Sequence, residues 1–135
     1  MRLLIDGNIL LDVLQKREPH YKDSVKIWKM CETGIADGRI SVLTFANLVY
    51  VMRKELDAEI INEVLKYLSL IFSFEDLTSL DISSAAEMQW NDYEDAIQAA
   101  MAKRIHANYI ITRNVKDFKK SEVIAFTPAE FLSRQ

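Results

Sequence analysis

Three stretches of this chain climb through apolar residues and end on an acid: Met1-Arg-Leu-Leu-Ile-Asp6, Trp90-Asn-Asp-Tyr-Glu-Asp95 and Tyr109-Ile-Ile-Thr-Arg-Asn-Val-Lys-Asp117. If the first and third are buried parallel strands, their carboxyl ends lie at one sheet edge, the usual place for a ligand crevice in α/β folds. Asp6 and Asp117 then become neighbours in space. Two ionised carboxylates about 4 Å apart repel by about 1 kcal/mol in water and about 4 kcal/mol at an effective dielectric of roughly 20. A hard divalent cation between them turns that cost into a gain, so the pattern points to a shared carboxylate metal site.

Each acid also has an ordinary role to set against that one. Asp6-Gly7-Asn8 is a good turn or helix-cap sequence. Asp95 falls in a first helical turn, where an acid gains about 0.3 to 1 kcal/mol from the helix macrodipole. Asp92 already suits the capping position, however, and lies on the same helix face, so Asp92 is read as the cap and Asp95 as the ligand. Asp117 has the weakest local case, because a polar turn after Thr112-Arg113-Asn114 often contains an acid.

The elements that must carry these residues are legible from periodicity. Arg2 to Asp6 reads as a short apolar strand, and Ile9 to Leu14 starts a helix after the Asp6-Gly7-Asn8 turn. A second helix runs from Tyr21 to near Gly34, followed by a strand at Ile40 to Leu43. Thr44 is the expected cap of the next helix, whose stripe is Phe45, Leu48, Val49, Met52 and Leu56; another follows through Ile60 to Leu68. Residues 71 to 77 return as a strand. Asp81 and Ser84 are the expected start of a helix through Ala85, Met88 and Trp90, and Asp92 caps an alanine-rich helix that permits close packing. Tyr109 to Thr112 and Val123 to Phe126 are the last strands. Thr127-Pro-Ala-Glu130 then carries an N-cap, a first-turn proline and a capping-box glutamate. Strands alternating with helices predict a three-layer α/β/α sandwich around a mainly parallel sheet.

Composition narrows the function classes. The 135 residues are half hydrophobic, enough for one domain with an adequate core, and three Gly and two Pro leave no linker. The lone cysteine, Cys31, cannot form an internal disulfide, and no signal-peptide pattern or membrane-length apolar run is seen; the expectation is a cytoplasmic protein without a membrane role. With 17 basic against 20 acidic residues and a net charge of -3, bulk cationic attraction cannot hold a nucleic acid. A polyanion has to be met by a local patch such as Arg113, Lys116, Lys119 and Lys120, interleaved with Phe118. On charge pattern alone, an ordinary solvated loop face explains that patch equally well.

Four segments taken in order carry a family resemblance: Leu4-Ile-Asp6-Gly-Asn8-Ile-Leu-Leu-Asp-Val-Leu14, Ser41-Val-Leu-Thr-Phe-Ala-Asn-Leu-Val-Tyr50, Asp92-Tyr-Glu-Asp-Ala-Ile-Gln98 and Ile111-Thr-Arg-Asn-Val-Lys-Asp-Phe118. Together with the Thr127-Pro-Ala-Glu-Phe-Leu132 tail they resemble the PIN domain, and small bacterial members of VapC type in particular. The resemblance implies a Mg²⁺- or Mn²⁺-dependent endoribonuclease, often the toxin of a toxin-antitoxin pair. It implies Asp6, Asp95 and Asp117 as the metal-holding catalytic acids, RNA as substrate, an antitoxin protein as a possible partner, and a homodimer. Asn8, Thr112 and Asn114 are implied as polar support for water, the ion's outer shell or phosphate, and Arg113 and Lys116 as phosphate contacts.

The main departure is Asn47, where most of the family has a glutamate. An amide oxygen can ligate a hard cation but brings no charge, so weaker metal affinity is expected. A branch of the family carries Asn here, so the change does not by itself mean an inactive enzyme. Asn47 also suits a weakened capping box with Thr44. Asp92 and Glu94 are candidates to restore part of the missing charge.

Competing readings are fewer. His20, His106 and Cys31 lack ligand spacing, and no acyl-transfer triad is present. Trp28, Trp90, Met52, Met88 and Met101 fall at helical spacings expected of core or subunit contact; Tyr50, Val51 and Tyr67 are candidates for a dimer face. Aspartyl-phosphate chemistry is disfavoured, because Asp6-Gly7-Asn8 lacks a second acid two residues on. The opposing class is a catalytically weakened module of the same fold that binds RNA or a protein partner.

Overall fold

Five short parallel strands form the sheet around which this chain winds, and a computed structural model describes all of residues 1–135. β1 (Arg2–Ile5) lies at the centre, β2 (Asp37–Ser41) and β3 (Ser73–Glu75) add on one side, and β4 (Tyr109–Ile111) and β5 (Ala125–Phe126) add on the other. Every neighbouring pair is parallel, so the spatial order β3-β2-β1-β4-β5 reverses direction between β1 and β4. That reversal opens a crevice at the carboxyl ends of the two strands.

Alternation along β1 sorts the two faces. Leu3 and Ile5 face one layer, where they pack with residues of α1 (Gly7–Leu14), α2 (Tyr21–Glu32), α3 (Val42–Met52), α4 (Ala58–Ile71) and α7 (Pro128–Leu132). Leu4 faces the other and joins Ala99 and Ala102 of α6 (Tyr93–Arg104) and the buried Phe118. α5 (Ser79–Met88) packs on α6, held by a two-pronged pairing of Arg104 with the buried Asp81 at 2.8 and 3.1 Å. The result is the expected three-layer α/β/α sandwich, with a fully parallel sheet.

Some boundaries fall elsewhere than periodicity suggests. β2 begins at Asp37 rather than Ile40 and stops at Ser41 rather than Leu43. Its first residues look like a polar loop, yet Asp37 and Arg39 pair with one another and Arg39 donates to Glu75 of β3 at 2.6 Å. Gly38 has the room there that a side chain would lack: a Cβ at that position would come within 2.7 Å of both Cys31 and Phe72. The cap of α3 is Ser41, whose hydroxyl accepts the Thr44 N–H at 3.0 Å; Thr44 lies inside the helix, buried. The Thr44–Asn47 capping box therefore does not form. α5 is capped by Thr78, with Asp81 completing a capping box, rather than by Asp81 or Ser84. Caps at Asp92 and Thr127 form as expected.

Of the aromatic and apolar residues set aside as core or contact surface, Trp28, Met52 and Met101 are buried and Trp90 is half-buried. Tyr50 and Tyr67 are exposed, but Val51 turns inward to pack on the core. No helix is long and apolar enough to cross a membrane.

Candidate active site

Asp6 follows β1 directly, and Thr112 follows β4. Because Ile5 and Ile111 are register partners, these two residues stand side by side at the sheet edge. The Asp6 backbone N–H donates to the Ile111 carbonyl at 2.9 Å, and the Thr112 hydroxyl donates to Asp6 Oδ2 at 2.8 Å. Asp6 occupies the N-cap position of α1, but its side chain makes no cap hydrogen bond. Its carboxylate is thus left for the crevice. Gly7 allows α3 to approach, since a Cβ there would meet the Thr44 methyl at 3.2 Å.

The same Thr112 hydroxyl accepts the Asn114 N–H at 3.0 Å. That bond turns the chain into a single 3₁₀ turn, Val115–Phe118, which carries Asp117 and is pinned by the buried Phe118. From the other direction, Asp92 Oδ1 accepts the Asp95 N–H at 3.0 Å and starts α6, leaving the Asp95 carboxylate free on the first turn.

These elements enclose a cavity of about 270 Å³ whose walls include Asp6, Asn8, Asn47, Asp92, Glu94, Asp95, Asn114 and Asp117. Five carboxylates share it and no basic side chain lines it. Burial, followed by the negative charges of Asp92, Asp6, Asp117 and Glu94, pushes the Asp95 carboxyl up to about 7. Glu94 is raised as well, by burial and then by Asp92 and Asp6, while a hydrogen bond from Asn47 acts in the opposite direction.

Three candidates lie outside the acid cavity. Thr112 is fully buried behind Asp6, where its hydroxyl is occupied at both ends, so it positions Asp6 and the Asn114 loop. Lys116 lines an adjoining cavity of about 320 Å³ that shares Asp92 and Asp117 with the first. Arg113 turns inward instead of toward the crevice: its Nε stands 3.2 Å from Oδ2 of Asp12, which is completely buried and also accepts from Ser24.

One wall residue carries no assignment from the sequence. Gln98 lies one turn beyond Asp95, is 3% exposed, and its Oε1 is buried without a hydrogen-bond partner. Helical spacing from Asp95 was the available signal, masked by the surrounding alanines that read as packing residues.

Oxygen donors without sulfur, imidazole or a cationic partner are the donor set of a hard divalent ion. The carboxylates face one another without converging; no three His, Cys, Asp or Glu side chains stand close enough to grip an ion. Mutual repulsion favours that spacing, and positive charge in the cavity would reverse it. The residues fit Mg²⁺ or Mn²⁺ chemically.

The sequence profile of the PIN domain matches residues 2–116, most of the chain. This chain belongs to the PIN domain family. Asp117 lies one residue past the matched span. Ribonuclease VapC1 of Aquifex aeolicus (strain VF5) is 23% identical over 141 aligned positions, covering 98% of this PIN domain and 94% of that protein. Among solved structures, FitAcB from Neisseria gonorrhoeae superposes with a TM-score of 0.73 at 20% identity, over 94% of this chain and 98% of its own. VapBC2 from Rickettsia felis, bound to a DNA fragment from its promoter, gives 0.71 at 20% identity with the same coverage. At these identities the structures establish the fold. In this PIN domain, the Asn47 side chain spends its Nδ2 on Glu94 Oε1, at 2.7 Å, and so sets an α6 carboxylate beside α3.

Proposed function

We propose that this PIN domain is a Mg²⁺- or Mn²⁺-dependent endoribonuclease that hydrolyses RNA phosphodiester bonds, and that it is the toxin of a toxin-antitoxin pair. The observation that carries this reading is the cavity itself: five carboxylates at the topological switch point of a parallel sheet, with no basic side chain in its wall. Asp6, Asp95 and Asp117 would hold the ion, with Glu94 adding the charge that Asn47 lacks. Such an ion, when bound, neutralises phosphoryl oxygens and acidifies a water molecule for in-line attack.

The chain's own residues do the remaining work. Thr112 fixes the Asp6 carboxylate, Asp92 anchors the helix turn that carries Asp95, and Asn8 and Asn114 offer neutral donors to water or phosphate oxygens. Lys116 at the rim offers a cation to a flanking phosphate. The VapC1 relative supports ribonuclease chemistry, and likeness in fold to a toxin-antitoxin complex from Klebsiella pneumoniae, with a TM-score of 0.67 at 23% identity over 93% of this chain and 97% of its own, supports an antitoxin partner for this chain too. A homodimer would use the exposed Tyr50 and Tyr67. We place the activity in the cytoplasm, where RNA is available and the unpaired thiol of Cys31 stays reduced.

The test is cleavage of a mixed RNA pool with Mg²⁺, with Mn²⁺ and with chelator, comparing wild type and Asp6→Asn. The expected result is cleavage that requires metal and disappears in Asp6→Asn. Silence of folded wild-type protein under all three conditions would replace this reading with the binding module.

A further inference from the structure

Resting on the reading of the acid cavity as a site for RNA hydrolysis, we propose that a single-stranded RNA segment next to the scissile phosphate lies in a trough along the Trp90–Lys120 side of the molecule, with Lys116, Lys119 and Lys120 on its phosphates and one base stacked on Trp90.

Three cavities join end to end there. The acid cavity shares Asp92 and Asp117 with the adjoining cavity of about 320 Å³, which in turn shares Trp90 and Lys120 with a groove of about 840 Å³ between α5, α6 and the loop before β5. The half-buried indole of Trp90 forms the partition between the last two. Phe118 holds it at 80°, with ring centroids 6.0 Å apart, so its orientation is set before any ligand arrives. Beyond Trp90 the groove is floored by Met88, Ala99 and Ala100.

Charge identifies the occupant. Five carboxylates repel the polyanion that has to enter, and net charge offers no help. The lysine ion pairs are Lys66–Glu63 and Lys103–Glu122; Lys116, Lys119 and Lys120 are exposed and join none. Arg113 is engaged with Asp12. The unpaired cations nearest the acids are therefore these three lysines, all on the wall of the middle cavity. An aromatic face among phosphate-binding lysines is the arrangement that takes unpaired bases, whose π-faces a duplex conceals. An acidic protein segment would satisfy the lysines but supplies no planar ring for Trp90.

The test measures binding apart from cleavage. A short labelled single-stranded RNA is titrated into wild-type protein in chelator, across a range of salt. Trp90→Ala is expected to weaken binding about five- to hundred-fold. Lys119→Glu combined with Lys120→Glu is expected to flatten the dependence of log K on log salt by about 1.4, the loss of two phosphate contacts on a single strand. Lys29→Glu with Lys66→Glu, an equal charge change at exposed positions on α2 and α4, is expected to change the slope far less. Should Trp90→Ala fail to fold, quenching of tryptophan fluorescence by RNA replaces it: Trp28 is buried, so the quench reports Trp90 and is expected to vanish in Trp90→Phe.

Binding that ignores both changes while RNA cleavage persists would overturn the trough and leave the hydrolase reading standing. Binding that depends on them without any cleavage would support the trough and remove the hydrolase. A wild type that binds no RNA in chelator, or that prefers an acidic peptide at the same lysines, would overturn the trough.

Discussion

Asn47 donates through Nδ2 to Oε1 of Glu94 at 2.7 Å, joining α3 to the first turn of α6 across the mouth of the acid cavity. A glutamate at position 47 would place two like charges where the structure has a donor and an acceptor. The negative charge at this side of the cavity is carried by α6, and the amide at 47 orients it. Glu94→Gln is expected to lower divalent-metal affinity about ten- to hundred-fold, the usual effect of losing a supporting partner around an ion. Asn47→Glu alone adds repulsion to the metal-free protein, whereas Asn47→Glu with Glu94→Gln moves the charge to α3 and is expected to recover most of the affinity. Calorimetric titration with Mn²⁺ decides this; a Glu94→Gln protein that binds Mn²⁺ like wild type would remove Glu94 from the site.

Thr112 supports the site from behind. Its hydroxyl donates to Asp6 and accepts from Asn114, so one side chain sets both the first acid and the turn that presents Asp117. Thr112→Val keeps the shape and removes both bonds, one of them to the Asp6 carboxylate, at about 1 to 3 kcal/mol of stability. Displacement of Asp6 by even an ångström can cost on the order of a hundredfold in turnover. Thr112→Ser retains the hydroxyl and is expected to retain both properties. Denaturant melts and cleavage rates of the two variants check this, and equal rates would mean that Asp6 is held by its backbone alone.

How much of this was legible in the residues varies with what each residue answers to. The parallel sheet and the positions of Asp6, Asp92 and Asp95 follow from strand ends and caps, which are local features of the chain. Ser41 as the α3 cap and Thr78 as the α5 cap are hard to read because a serine or threonine one turn further on, or an acid, looks equally suitable in isolation; the extended backbone at Ser41 and Thr78 decides between them. The start of β2 is hidden in the sequence because Asp37 and Arg39 read as loop until Glu75 of β3 is seen to complete their ion pairs. Asn47–Glu94 and Arg113–Asp12 were beyond reach for a similar reason. Each partner lies far along the chain, and no spacing rule connects them.

Arg113 stands in the segment expected to meet phosphate, yet its guanidinium neutralises a completely buried carboxylate. Arg113→Met would strand Asp12 in the core with only Ser24 as partner, and breaking such a pair from one side costs about 3 kcal/mol or more. Arg113→Met combined with Asp12→Asn removes the uncompensated charge and is expected to recover a large part of that loss. Thermal unfolding of the two variants gives the answer. A stable Arg113→Met protein with weakened RNA binding would instead return Arg113 to the substrate.

The raised carboxyl of Asp95 fixes the sign of a pH effect. In metal-free protein the unfolded chain releases this proton near the ordinary value of 3.8, while the folded chain keeps it to about 7. Between those values the folded state binds more protons than the unfolded one, so stability falls as pH rises from about 4 to about 7 and the full penalty is present above 7. Glu94 shifts in the same direction and adds to it. A divalent cation favours the ionised carboxylates and competes with the proton, so its stabilising effect grows as the proton leaves. Melting temperatures measured in chelator and in Mn²⁺ are therefore expected to diverge from pH 5 to pH 8, and Asp95→Asn is expected to flatten the chelator profile. A metal-induced shift that is as large at pH 5 as at pH 8 would show that the ion binds without displacing a proton from this cavity.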